Sequence, residues 1–124
     1  MPLINSLGIL SEISTALETL KATGQEQILY LTQPPLTDKD EDFLREALGR
    51  GRITIVANEV HAAAWQETAI PCVWWSEYRD EIERVVLKAI EIAPYPHLAA
   101  GQRDDIDEGL TKLKKIEEGA SDIK

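Results

Sequence analysis

Trp74 and Trp75 stand side by side in the run IPCVWW, residues 70–75, and their adjacency restricts what the chain can fold into. On a strand, neighbouring side chains point to opposite faces of the sheet. Two adjacent tryptophans therefore enter one core only if the sheet is covered on both sides. Parity places Val73 and Trp75 on one face, and Cys72, Trp74, Ser76 and Tyr78 on the other, which is mixed in polarity. A chain of 124 residues is sized for one domain, and a domain this small rarely covers both sheet faces. The expectation is that Trp75 is core and that Trp74 is exposed on the second face, together with Ser76 and Tyr78. Trp and Tyr are enriched at interface hot spots, so that face is a candidate partner-binding surface. The alternative is that a helix or the C-terminal segment covers Trp74 too.

The rest of the chain reads as alternating elements. Leu10, Ile13, Leu17 and Leu20 recur at helical spacing over 6–22, with Ser6 placed to cap the start and Gly24 to end it. Residues 27–31 read as a short strand. Thr37 followed by Asp40 resembles a capping box, and the acids from Asp38 to Asp42 suit the positive end of the next helix. Phe43, Leu44, Ala47 and Leu48 would be its buried face, and Gly49 its end. Residues 52–58 form a second strand, with Ile53 and Ile55 on one face. Residues 63–78 carry a third, interrupted or bulged at Pro71, because proline cannot donate to a ladder.

Residues 81–93 are ambiguous. Ile82, Val85, Val86, Ala89, Ile90 and Ala93 fit a helical stripe, while Val85, Leu87 and Ala89 alternate as a strand would. Periodicity alone favours the helix. Pro94 and Pro96 end the segment. A last helix over 104–118 shows Ile106, Leu110, Leu113 and Ile116 on its apolar side. Gly109 inside it costs about 1 kcal/mol relative to alanine. The chain reads as a single domain, 1–124, with a frayed tail at 119–124.

Charge and residue usage exclude several functions. The formal net charge is −9, from 22 acids against 13 bases. That balance opposes nucleic acid and anionic membranes and suits a partner with a basic segment. A single cysteine, no basic leader and no apolar run near the ~20 residues that span a bilayer point to the cytoplasm. Cys72, His61 and His97 are far apart in sequence, so no metal and no cofactor is expected. Cys72 lies among Pro71, Val73 and the tryptophans, the setting of a small buried hydrophobe rather than of a reactive thiol. Glu67 sits among apolar neighbours and reads as an outward-facing strand residue; it joins Trp74, Ser76 and Tyr78 as a partner-binding candidate. No catalytic constellation emerges.

The order of these segments resembles the HupH/HyaF family of hydrogenase expression proteins. LTQPPLTDKDEDFLREALGRGRITI, then WQETAIPCVWW, then AIEIA carry the likeness. Pro35, Leu36, Thr37 and Asp40 match the family's turn and helix start, and Leu48 and Gly49 the helix end. Glu67, Thr68, Pro71, Val73, Trp74 and Trp75 match its Glu-Thr and Pro-Gly-Val-Trp-Trp-like strand motif. Ile90, Glu91 and Ile92 match its last strand. Cys72 stands where the family usually has glycine, and the chain is about half the length of typical members.

The resemblance implies that 85–93 is a strand. It gives an α+β fold, a three-stranded antiparallel meander to which residues 27–31 can add a fourth strand, with helices packed mainly on one face. It further implies a non-enzymatic, chaperone-like accessory protein of [NiFe] hydrogenase maturation, with the small, iron–sulfur-bearing subunit or its signal segment as partner. Two other readings compete: a thiol-redox enzyme acting through Cys72, and a homodimeric binding module that buries Trp74 on its open sheet face.

Overall fold

The strand-forming runs and turn residues assemble into one antiparallel sheet in a computed structural model that describes residues 4–31, 36–57, 62–96 and 103–122. The elements in chain order are α1 (Ile4–Thr23), β1 (Gln27–Tyr30), α2 (Asp38–Leu48), β2 (Thr54–Ala57), β3 (Ala63–Glu67), β4 (Val73–Arg79), β5 (Val85–Ile92) and α3 (Arg103–Asp122). The sheet has five strands in the order β1-β5-β4-β3-β2. β2 to β5 form an up-and-down meander, and β1 closes the far edge by pairing with β5, Gln27 opposite Ile92. The class is α+β as expected, with five strands rather than three and a fourth.

The extra strand comes from the stretch 63–78, which is a hairpin and not one bulged strand. The N–H of Val73 reaches the carbonyl of Ile70 at 3.2 Å, and Cys72 between them has a φ of 71°. Proline second and a positive φ third are the marks of a type II turn. Pro71 therefore sits at the corner, where its missing N–H costs nothing.

β5 settles the ambiguous segment against its helical stripe. It is paired on both sides, with β1 and with β4. Ile90 and Ile92 face one layer, and Ala89 and Glu91 face the other; all four are buried. Pairing on two edges and burial on two faces outweigh a 3.6-residue pattern, and β-branched side chains suit the pleated surface.

The first face of the sheet packs on α1 and α2. Val73, Trp75, Ile90 and Ile92 meet Ile13, Ala16, Leu31, Leu44 and Leu48 in the main core. Ala47, expected in that face, is exposed. Thr37 caps α2 as expected, its Oγ1 accepting the Asp40 N–H at 3.1 Å. Ser6 does not cap α1, which already begins at Ile4; it is buried within the helix and donates to Asp40 Oδ1 at 2.7 Å, tying α1 to α2. α3 continues to Asp122, beyond the expected end at 118, and its described side chains from 105 to 120 are all exposed. The expected packing of a C-terminal helix on the sheet is thus absent among the described residues. No described helix is long and apolar enough to cross a membrane.

Candidate functional site

The Glu67–Trp75 motif builds the β3–β4 hairpin. Thr68 Oγ1 accepts the Ile70 N–H at 3.1 Å and donates to the Val73 carbonyl at 2.9 Å. Glu67 reaches back to the loop before β2, where its Oε1 accepts the Arg52 N–H at 3.2 Å. Its carbonyl accepts the Gly51 N–H at 2.8 Å. A Cβ on Gly51 would lie 2.6 Å from the Thr68 carbonyl oxygen, so that approach requires glycine. These contacts set the register that places Glu67 opposite Trp74 and Gln66 opposite Trp75. Thr37 stands at the α2 cap, while Pro35, His61 and His97 lie outside the described residues.

Trp74 is not exposed. It is 2% accessible, beside Trp75 at 4%. Its Nε1 donates to the Ala93 carbonyl at 3.2 Å, and it packs with Ala63 and Trp65, flanked by Ile55, Ala57 and Tyr78, in a second core. The second face is therefore closed over β3, β4 and β5. Trp65, to which the sequence reading gives no role, is buried in the same layer, and the chain leaving β5 supplies the Ala93 carbonyl.

A buried carboxylate sits at the centre of this layer. Glu91 is 2% exposed. Its Oε2 accepts the Trp65 indole N–H at 2.7 Å and the Tyr78 hydroxyl at 3.2 Å. Trp65 and Tyr78 also meet edge to face, with ring centroids 5.9 Å apart. Burial, and then the negative charge of Glu91, push the Tyr78 phenol above its ordinary pKa. Ser76 is buried as well and donates to the Ala89 carbonyl at 3.2 Å. Of the four residues expected on an open face, Trp74 and Ser76 are buried, while Glu67 and Tyr78 are half-buried.

Beyond Tyr78 the second face does open. A recess of about 360 Å³ is lined by Ile28, Tyr30, Ala62, Tyr78, Arg79, Val86 and Leu87. Tyr30 and Val86 expose 57% and 58% of their surface there. The β4–β5 turn that follows Arg79 carries Asp80, Glu81 and Glu83. Asp80 is held there by the N–H groups of Ile82 and Arg84 and by the Arg84 guanidinium. The Arg84 backbone bond does most to keep its carboxyl below the usual range.

The first face carries a second opening, of about 440 Å³, beside α2. Trp75, Gln66, Thr54 and Glu77 line it on the sheet, and Arg45, Glu46 and Arg50 on the α2 side. Its charges are largely engaged with one another. The Arg45 guanidinium lies 4.5 Å over the Trp75 ring and bonds Glu41 at 3.2 Å and Glu77 at 3.0 Å. Lys88 Nζ bonds Glu41 at 2.8 Å. Burial would raise the Glu41 carboxyl, but Lys88 and Arg45 outweigh it and leave the pKa lowered. The Trp75 indole N–H is buried without an acceptor among the described residues.

Among the described residues no three His, Cys, Asp or Glu side chains converge as a metal site. Cys72 is half-buried at the hairpin corner.

Residues 3–119 match the family model described as "HupH hydrogenase expression protein, C-terminal conserved region". Among curated proteins, the chain is 28% identical over 97 residues to the hydrogenase expression/formation protein HupQ of Azotobacter chroococcum. That match covers 78% of this chain and 34% of HupQ. It is 27% identical to HoxQ of Azotobacter vinelandii, covering 94% of this chain and 42% of HoxQ. The chain thus spans well under half of these curated relatives. Among solved structures, it superposes on the hydrogenase expression protein HupH from Thiobacillus denitrificans with a TM-score of 0.87 at 32% identity. There the match covers 94% of this chain and 97% of that one.

Proposed function

The chain belongs to the HupH hydrogenase expression protein family, as its C-terminal conserved region, and from that membership we propose a non-enzymatic accessory role in [NiFe] hydrogenase maturation. In this reading it binds the small, iron–sulfur-bearing subunit, or that subunit's signal segment, in the cytoplasm before export. The relatives' names as hydrogenase expression and formation proteins support the maturation role. The observation that carries the binding role is the apolar recess beside Tyr78, with Tyr30 and Val86 exposed at its rim. An exposed apolar cluster bordered by charge is the usual form of a polypeptide-binding surface.

The chemistry of an export signal fits this surface. Such a segment pairs an apolar stretch with a basic end. The recess offers the first its apolar lining, and Asp80, Glu81 and Glu83 on the neighbouring turn offer the second their charge, within a chain of net charge −9. Glu67, Ser76 and Trp74 then serve the site from behind: they fix the hairpin whose far end presents Tyr78.

The test is binding of purified small subunit, with and without its signal segment, to the wild type and to Tyr30→Asp and Val86→Asp. Each substitution should weaken binding about tenfold or more, with thermal unfolding unchanged. Wild-type affinity in both variants would remove the recess from the reading.

A further inference from the structure

α3 offers an apolar stripe that no described residue buries. Every described side chain from Asp105 to Ala120 is exposed. The helix has 20 residues and is about 30 Å long. Ile106, Leu110, Leu113 and Ile116 follow one another at spacings of four, three and three and are 51–67% exposed. Helices of this length gain most of their stability from packing an apolar face. Gly109 adds a second observation. A Cβ there would meet nothing within 4 Å, so nothing in the described chain calls for glycine at a position where it weakens the helix.

We propose that α3 pairs antiparallel with α3 of a second copy of this chain. In heptad terms Leu110 and Glu117 take the a position, Ile106 and Leu113 the d position. Asp107 and Lys114 then flank the seam on one side, and Gly109 and Ile116 flank it on the other. Parallel pairing would set Glu117 against its own copy and give Asp107 and Lys114 no charged neighbour across the seam. Antiparallel pairing sets Leu110 on Leu113 twice and covers Ile106 with the stem of Glu117. Asp107 meets Lys114 of the second copy, and the two-fold axis repeats that ion pair. Gly109 comes to lie across from Ile116, where the absent side chain makes room for the isoleucine.

The stripe is thus complementary to itself under a two-fold rotation in shape, polarity and charge, which is what an isologous contact demands. Self-complementarity of this kind commits the surface to a second copy rather than to a foreign helix. The inference is independent of the recess and of the hydrogenase reading.

Sedimentation velocity of the whole chain over a concentration series provides the test. The wild type should show a concentration-dependent monomer–dimer equilibrium. Leu110→Asp should shift it to monomer, with tryptophan fluorescence unchanged because all three tryptophans are buried in the two layers of the sheet and Leu110 is exposed. Asp107→Lys should weaken the dimer about tenfold, and Asp107→Lys combined with Lys114→Asp should restore it. A wild type that stays monomeric at millimolar concentration overturns the proposal. So does a dimer that survives Leu110→Asp, or a charge swap that fails to rescue. A monomer that instead binds hydrogenase small subunit in an α3-dependent way also overturns it and gives the stripe to that partner.

Discussion

Trp65 on β3 donates its indole N–H to the carboxylate of Glu91 on β5 at 2.7 Å, across the width of β4. That bond and the Tyr78 hydroxyl bond to the same oxygen give a buried acid two donors. Removing the acid strands both. Glu91→Ala should cost roughly 3 kcal/mol of stability, since each buried donor left unpaired costs about 1–3 kcal/mol. Glu91→Gln keeps an acceptor oxygen in place and should cost about 1 kcal/mol. Urea unfolding of the two variants measures the difference, and equal losses would mean that the carboxylate's bonds contribute nothing.

Much of the architecture is legible in the residues, and the failures share a cause. Thr37 and Asp40 act within one turn of helix, so the α2 cap can be read from spacing alone. The strand over 85–92 is legible only through the family likeness, because its local period is helical and its pairing with β1 and β4 is not local. Ser6 follows the same rule: its partner Asp40 is 34 residues away, so it reads as a local cap. Alternation places Trp74 on the second face, where the structure has it. Alternation is silent on burial within that face, where Trp74 packs with Trp65 and bonds the Ala93 carbonyl. The apolar stripe of α3 is plain in the sequence, but its lack of a partner among the described residues shows only once the sheet is in place.

Cys72 tests the hairpin corner. Its φ of 71° is one that side chains rarely adopt and glycine adopts freely. The backbone here holds a conformation that suits glycine. Cys72→Gly should therefore be more stable than Cys72→Ala by about 1 kcal/mol, the cost of placing a Cβ in the left-handed region. Thermal unfolding decides between them. Both variants should support hydrogenase maturation in a complementation assay, and loss of maturation by folded Cys72→Ala would favour thiol chemistry.

Acid should loosen the α1–α2 contact through Asp40 and the α2–β5 contact through Glu41. The Ser6 hydroxyl first, and then that of Thr37, hold the Asp40 carboxyl below its ordinary value of 3.8. Glu41 is also lowered from 4.5, because Lys88 and Arg45 outweigh its burial. A carboxyl with a depressed folded pKa binds fewer protons than it does in the unfolded chain. Its contribution is complete above the unfolded pKa and is lost as pH falls through the folded one. Stability should thus decline below about pH 4.5 and continue to fall past 3.8. Ser6→Ala should flatten the lower part of that decline, and Lys88→Met the upper part. Unfolding free energies measured at half-unit steps in pH would show both changes; unaltered slopes would mean that these bonds do not set the pKa values.

The two adjacent tryptophans are both core, yet they are not equivalent. Truncation of either to alanine should cost roughly 3–5 kcal/mol, because each fills a closed layer. Trp→Phe separates them. Trp74 spends its indole N–H on the Ala93 carbonyl at 3.2 Å, so Trp74→Phe removes a made hydrogen bond and leaves a buried carbonyl without that donor. Trp75 carries a buried N–H with no acceptor among the described residues, so Trp75→Phe removes a polar group already desolvated without return. Its ring remains beneath the Arg45 guanidinium, with a weaker cation–π attraction than tryptophan gives. The balance predicts that Trp74→Phe costs about 1 kcal/mol more than Trp75→Phe. Equilibrium denaturation of the four variants, Ala and Phe at each site, measures this directly. A Trp75→Phe loss as large as that of Trp74→Phe would mean that the Trp75 N–H has found an acceptor in solution, within the opening that Arg45 and Glu77 border.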